Sequence, residues 1–396
     1  MLPALVLGAS AALAGASAIP SWETYATGFN AAVPVLSAGG HADCIQGNIP
    51  VAASAMNTHL NYTGPANQRA ATETIVEFLQ VNATLPMEVL GDKVNVSGTY
   101  NINAKLCFPF GSAPNTSSVQ FLTHGVGFDK SYWDVFSADY SYQDAAALKG
   151  YTTFAYDRLG VGLSDHPDPI QVVQAPLEIS IAHSLIQMLR SGSIASTSFS
   201  KVVGVGHSLG SELTNAITAQ YPKDVDGAVL TGFSVDTSGQ STFFAGLDLV
   251  IASQFVATRF PGLAPGYLIA ESRAGNQFGF FRAPGFAPAL LDTAEGTKQT
   301  FTIGELFTNS MLMSSAPGFT GPIDVVDGQY DLPFCQSNCL VPENKAAAVK
   351  GALYPNAASG STYYIAGDAG HGVNLHYSAG AAYAHIFEFI ENNDLA

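Results

Sequence analysis

A serine set between two glycines is the feature of this 396-residue chain with the clearest chemical meaning: Gly206-His207-Ser208-Leu209-Gly210. With 39 glycines in the chain, a G-x-S-x-G match arises easily by chance, so its setting has to decide. It follows the apolar run KVVGV (201–205), which reads as a strand, and precedes SELTNAITAQ (211–220), which reads as a helix. A tight strand-to-helix turn forces Ser208 into strained backbone geometry, and the flanking glycines leave room for that close approach. The helix N-terminus lends partial positive charge to an oxyanion forming beside the serine. A serine hydroxyl is inert near neutral pH, so nucleophilic chemistry also needs a neutral imidazole to take its proton. A buried carboxylate must then fix the tautomer and stabilise the imidazolium.

The elements around this turn alternate. Residues 119–123, 152–156, 201–205, 227–230, 323–326 and 362–365 read as strands; 132–149, 177–189, 211–220, 343–353 and 379–391 read as helices. Strands alternating with helices imply parallel βαβ units, hence an α/β fold with a mostly parallel central sheet and helices on both faces. Residues 94–100 and 101–108 alternate like antiparallel strands. Residues 19–90 read as an irregular lead-in with one helix over 67–79. A stretch rich in Phe, Gly, Pro and Leu, 235–315, breaks the rhythm and reads as an insertion over the sheet.

Further motifs accompany GHSLG in order. His124-Gly125-Val126-Gly127-Phe128 follows an early strand, and Tyr156-Asp157-Arg158-Leu159-Gly160-Val161-Gly162-Leu163-Ser164-Asp165 is similar to a D-x-x-G-x-G-x-S turn. Gly328-Gln329-Tyr330-Asp331 and Gly370-His371-Gly372 follow late strands. From about residue 93 onward the chain resembles the α/β-hydrolases. That resemblance implies Ser208 as nucleophile, His371 as general base and then acid, and Asp331 as the residue orienting the imidazole. It implies an oxyanion hole from the backbone N–H groups of Val126 and Leu209. Asp327, Asp324 and Asp236 compete for the acid role, and His376 for the base. His124 and His207 read as structural, and Asp157 and Arg158 as braces under the active-site loops.

Composition bounds the setting. Fifteen basic against 31 acidic residues give a net charge of −16, a surface that repels phosphate backbones and argues against nucleic-acid binding. Residues 1–18 lack charge and end in Ala16-Ser17-Ala18, as a cleaved secretory signal peptide does. Sequons at Asn61, Asn82, Asn95 and Asn115 fit glycosylation of a secreted chain, and no later apolar run is long enough to span a membrane. Cys44, Cys107, Cys335 and Cys339 allow three disulfide pairings; proximity favours Cys44–Cys107 and Cys335–Cys339. There is no C-x-x-C pair and no H-E-x-x-H, so the pattern implies no metal, and no cofactor is expected either.

The expected organisation is a signal peptide (1–18), a glycosylated N-terminal extension (19–92), a hydrolase core in two parts (93–234 and 316–396) and a cap or lid insertion (235–315). In that insertion Phe243, Phe244, Phe255, Phe280 and Phe281 are candidates, as a group, to line an apolar pocket. The expected function is that of a secreted serine esterase or lactonase acting on a small apolar substrate. Relatives with haloalkane dehalogenase or epoxide hydrolase activity use Asp as nucleophile, which Ser208 argues against. Three rivals stand beside it. One is a non-hydrolytic enzyme of cyclisation, condensation or acyl transfer in a secondary-metabolite pathway. The second is a peptidase of the proline-iminopeptidase type, whose HGGPG-like loop differs from HGVGF. The third is a catalytically silent binding module. Substrate identity and oligomeric state are left open.

Overall fold

The computed structural model describes residues 22–111 and 116–396. The expected signal peptide and the Asn115 sequon lie outside the described residues. In chain order the strands are β1 (Asn30–Leu36), β2 (Ala42–Leu60), β3 (Leu90–Pro109), β4 (Ser118–Thr123), β5 (Thr152–Tyr156), β6 (Lys201–His207) and β7 (Gly227–Thr231). The short β8 (Leu249–Ile251), β9 (Tyr267–Ala270) and β10 (Phe301–Thr302) follow, then β11 (Ile323–Gly328) and β12 (Thr362–Ala366). Nine of them form one sheet in the order β1-β2-β3-β5-β4-β6-β7-β11-β12. From β5 to β12 every pairing is parallel, whereas β1, β2 and β3 join antiparallel, with β3 against β5. This is the α/β-hydrolase fold with its mostly parallel sheet. Strands β4, β5, β7 and β11 are buried along their whole length, which is why they read as unbroken apolar runs.

Parallel pairing has a direct functional consequence. It turns the carboxyl ends of β4, β6, β7, β11 and β12 to one edge of the sheet, where the loops after parallel strands gather ligands and reacting groups. The helix Leu209–Gln220 packs on β6 and β7, and Ala379–Asn392 on β11 and β12.

Two expectations need correction. Residues 19–90 are not an irregular lead-in, because β1 and the 19-residue β2 lie in them and extend the central sheet. Buried and exposed positions alternate along the middle of β2, but beyond Val51 the residues are mostly Ala, Ser and Asn, so the pattern is faint in sequence. Pro50 also argues against a strand there; it sits just past the last β1 pair, Asn30↔Asn48. Ser180 and Ser184, on the helix Ala175–Ser191, bond the β2 backbone at Ser54 and Ala52. The expected helix over 132–149 is two pieces, a 3₁₀ turn Lys130–Trp133 and a helix Tyr142–Leu148. Asp134 breaks it by accepting bonds from Ala38 N–H, the Ser141 hydroxyl and Lys105, and Ser141 then caps the second helix.

Between β7 and β11 the described chain forms five helices, Gln240–Leu247, the short Ala252–Phe255, Arg273–Phe280, Pro288–Thr297 and Ile303–Thr308. A separate three-stranded sheet, β10-β9-β8, lies in the same segment. No helix among the described residues is long and apolar enough to cross a membrane. Asn61, Asn82 and Asn95 are exposed.

Cys44 and Cys107 stand opposite each other in the β2/β3 register and are disulfide-bonded, as are Cys335 and Cys339. The first bridge closes 63 residues and the second only 4. Loop-closure entropy then gives about 4 kcal/mol for the first and about 2 kcal/mol for the second. The double variant Cys44→Ser/Cys107→Ser is therefore expected to lower Tm more than Cys335→Ser/Cys339→Ser, measured by thermal unfolding at one pH.

Candidate active site

Ser208 sits at the end of β6 with φ 57° and ψ −122°, a conformation rare for any residue with a side chain. Two glycines make it possible. A Cβ on Gly206 would lie 2.3 Å from the Gly210 carbonyl oxygen, and one on Gly210 would lie 2.1 Å from the Thr123 oxygen. The turn is pinned by the Ser208 N–H donating to the Thr231 oxygen at 2.9 Å, which also accepts from the Ser211 hydroxyl. Ser208 itself is only 6% exposed.

The Ser208 hydroxyl lies 2.8 Å from His371 Nε2, and His371 Nδ1 lies 2.5 Å from Asp331 Oδ2. With its Nδ1 proton facing the carboxylate, the neutral imidazole presents Nε2 as an acceptor to the serine. Asp331 follows β11 and is held by its other oxygen, which accepts the Phe334 N–H at 2.8 Å. His371 and Asp331 are both fully buried.

The rival residues are engaged elsewhere. Asp324 pairs with His385 and the Thr362 hydroxyl, and Asp236 with Lys345 and Ser238. Asp327 lies beside the Cys335–Cys339 disulfide, 3.3 and 3.5 Å from its sulfurs. Burial first, and then the neighbouring Asp331, push its carboxyl well above the usual range. Asp327, Cys335 and Cys339 also cluster closely enough to suggest a metal site, but the two sulfurs are bonded to each other. His376 accepts the N–H groups of Gly370 and Arg282 on Nε2 and donates from Nδ1 to the Gly372 carbonyl. It thereby clamps the loop on both sides of His371, and burial drops its pKa to about 4.

Val126 and Leu209 border the same space as Ser208. Neither backbone N–H is taken up by a protein acceptor among the described residues, so both are free for an oxyanion. The HG loop is braced from beneath. His124 Nε2 accepts the Arg158 N–H at 3.0 Å, and Arg158 is held by Glu178 and Glu305. Asp157 accepts from the Lys130 backbone and ammonium groups and from the Leu163 N–H, each at 2.9 Å. Asp157 and Arg158 are thus braces, as their motif implies. His207 stacks on Tyr132 at 4.3 Å, and burial holds its pKa well below the usual imidazole range.

Of the five phenylalanines expected at the pocket, Phe243 and Phe244 border the space at Ser208 and Phe280 stacks on His371. Phe281 packs against His376 and, with His371, lines a separate cavity, and Phe255 is 48% exposed at the end of a short helix. Phe301 and Phe334 complete the apolar wall. Glu212, Gln240 and Asn309 border the same space and were not anticipated. The signal for Glu212 was present, since it lies four residues after Ser208 on the same helix and so on the same side. Asn309 has no such mark; only the fold brings it there.

A family model for the alpha/beta hydrolase family matches residues 121–386, and the chain belongs to that family. No curated protein sequence matches it significantly. Among solved structures, a carboxylesterase from the thaumarchaeon Nitrososphaera gargenis aligns over 75% of this chain and 96% of its own, with 14% identity and a TM-score of 0.50. The enol-lactonase of Burkholderia xenovorans aligns over 74% and 97%, with 17% identity and a TM-score of 0.49. A thermophilic esterase from Thermogutta terrifontis aligns over 73% and 94%, at 15% identity and 0.48. At these identities the likeness is one of fold.

Burial pushes the Glu212 carboxyl from its ordinary 4.5 up to about 7. A carboxyl that holds its proton more tightly when folded costs stability as pH rises from about 4.5 to about 7, because the folded state then keeps a proton the unfolded chain has lost. Glu212→Gln removes that cost. Its Tm relative to the unsubstituted protein is expected to rise across this window, by the equivalent of roughly 3 kcal/mol, and to level off above pH 7.

Proposed function

We propose that this protein is a secreted serine hydrolase that cleaves a carboxylic ester or lactone of an apolar substrate. The observation that carries the reading is the Ser208–His371–Asp331 chain of contacts, 2.8 Å and 2.5 Å, beside two unclaimed N–H groups.

In the first step Ser208 Oγ attacks the carbonyl carbon while its proton passes to His371 Nε2. The carbonyl oxygen, now negative, is received by the Val126 and Leu209 N–H groups. Asp331 stabilises the imidazolium through Nδ1. As the tetrahedral species collapses, the carbon–oxygen bond to the alcohol breaks and His371 returns the proton to that leaving oxygen. Water then gives a proton to His371 and attacks the acyl-serine, releasing the acid and restoring the hydroxyl. In a lactone the leaving oxygen stays tethered to the acyl group.

The apolar character of the substrate rests on the wall of Phe243, Phe244, Phe301 and Phe334. We take residues 235–315 as a cap over the serine, because Phe243 and Phe280 within them pack on His371. Secretion rests on the charge-free leader, the sequons and the paired cysteines.

The test is labelling with a fluorophosphonate together with turnover of p-nitrophenyl esters. Ser208→Ala is expected to take no label and to lose on the order of a thousandfold or more in kcat. Asp331→Asn should keep the fold, by circular dichroism, and also lose most of kcat. A Ser208→Ala protein that still turns over esters at the unsubstituted rate overturns the reading.

A further inference from the structure

The space directly over Ser208 is small, about 20 Å³, which is room for about one water. An acyl group therefore needs part of the wall to move. Most of that wall is made of packed aromatic side chains, but one side is polar and loosely tied. Glu212 Oε1 accepts from Gln240 Nε2 at 3.3 Å and from Asn309 Nδ2 at 3.5 Å, both at the long limit for a hydrogen bond. The side-chain oxygen Oδ1 of Asn309 is buried with no partner among the described residues.

Beyond these three side chains lies a cavity of about 500 Å³. Glu212, Gln240, Asn309 and Phe244 form the wall common to both spaces. Away from those side chains the lining is mainly apolar, with Phe78 and Leu79 of the helix Gln68–Leu79, Pro86 of the helix Leu85–Val89, and Leu306, Phe307 and Met313; Thr237, Ser241 and Ser310 add hydroxyls. A second cavity, about 490 Å³, touches His371 but not Ser208, Val126 or Leu209. Because His371 has to protonate the leaving oxygen, the alcohol portion belongs on the imidazole side and the acyl chain on the opposite side, toward Glu212.

We propose that the cavity beyond Glu212, Gln240 and Asn309 is the acyl-chain site, entered by parting those three side chains, and that it selects esters of uncharged, medium-length aliphatic acids. This rests on the serine-hydrolase reading above. Volume and lining carry the selectivity: the cavity is of the size that holds a drug-sized apolar group, and it lies behind a carboxyl that burial keeps largely protonated below about pH 7. An acyl chain ending in a carboxylate would meet no cation among the residues that line the cavity.

The experiment uses the full chain and two alkyl fluorophosphonates, ethyl and decyl, whose alkyl group stands where an acyl chain would. Labelling rates are compared in the unsubstituted protein, in Ser241→Trp and Met313→Trp, which fill this cavity, and in Ala274→Trp, which fills the one beside His371. Ser241 and Ala274 are exposed helical positions, so these two variants can carry the added bulk without disturbing the core. The expected result is a tenfold or greater loss of decyl labelling in Ser241→Trp and Met313→Trp, with ethyl labelling within about threefold of normal, and no change of preference in Ala274→Trp. An unchanged decyl-to-ethyl ratio in both cavity variants, or a change only in Ala274→Trp, overturns the acyl-site assignment while leaving the hydrolase reading intact. No labelling of the unsubstituted protein by either reagent sinks the hydrolase reading and this one with it.

Discussion

The architecture of the site depends on one strained residue. Ser208 takes a positive φ because β6 must end and a helix must begin within a single position, with the hydroxyl left at the sheet edge. That conformation survives because everything around it is crowded. Gly206 and Gly210 approach one another and the Thr123 carbonyl more closely than a side chain allows, and Thr231 holds the turn from the neighbouring strand. Parallel pairing of β4, β6 and β7 supplies those neighbours, so the sheet register and the serine's posture are one constraint.

The same logic runs outward. Three loops at the sheet edge are fixed by buried polar contacts, so the groups they carry are set before any ligand arrives. His376 clamps the His371 loop, Phe334 N–H anchors Asp331, and His124 ties the HG loop to Arg158. Arg158 is anchored in turn by acids on two different helices, Glu178 from Ala175–Ser191 and Glu305 from Ile303–Thr308. A buried arginine with one of those acids removed would leave an uncompensated charge, which makes this brace costly to disturb. The Glu212–Gln240–Asn309 side, by contrast, is held by long hydrogen bonds, and it borders the cavity of about 500 Å³.

The parallel half of the fold was legible in the sequence because buried parallel strands are continuous apolar runs with short, well-marked helices between them. Ser208, Asp331 and His371 were legible as motifs at strand ends. Among Asp331, Asp327 and Asp324 the G-x-x-D spacing favoured Asp331 without excluding the others, since residues so close along one strand and its turn differ only in where they point. The antiparallel strands β1 and β2 were missed because Ala, Ser, Asn and Pro50 blur their alternation. The helix over 132–149 was overdrawn because Asp134 ends the first turn through tertiary bonds to Ala38 and Lys105, which no local pattern reveals. The polar gate was invisible for the same reason: Asn309 and Glu212 are 97 residues apart.

The central claim is that Ser208 forms a covalent acyl intermediate. Rapid mixing of the protein with a p-nitrophenyl ester, followed by acid quench and mass mapping of the peptides, tests it most directly. The account predicts an initial burst of about one p-nitrophenol per protein and an acyl mass on the peptide carrying Ser208. Turnover with no burst and no adduct under conditions where deacylation is slowed, or an adduct on another residue, would contradict it.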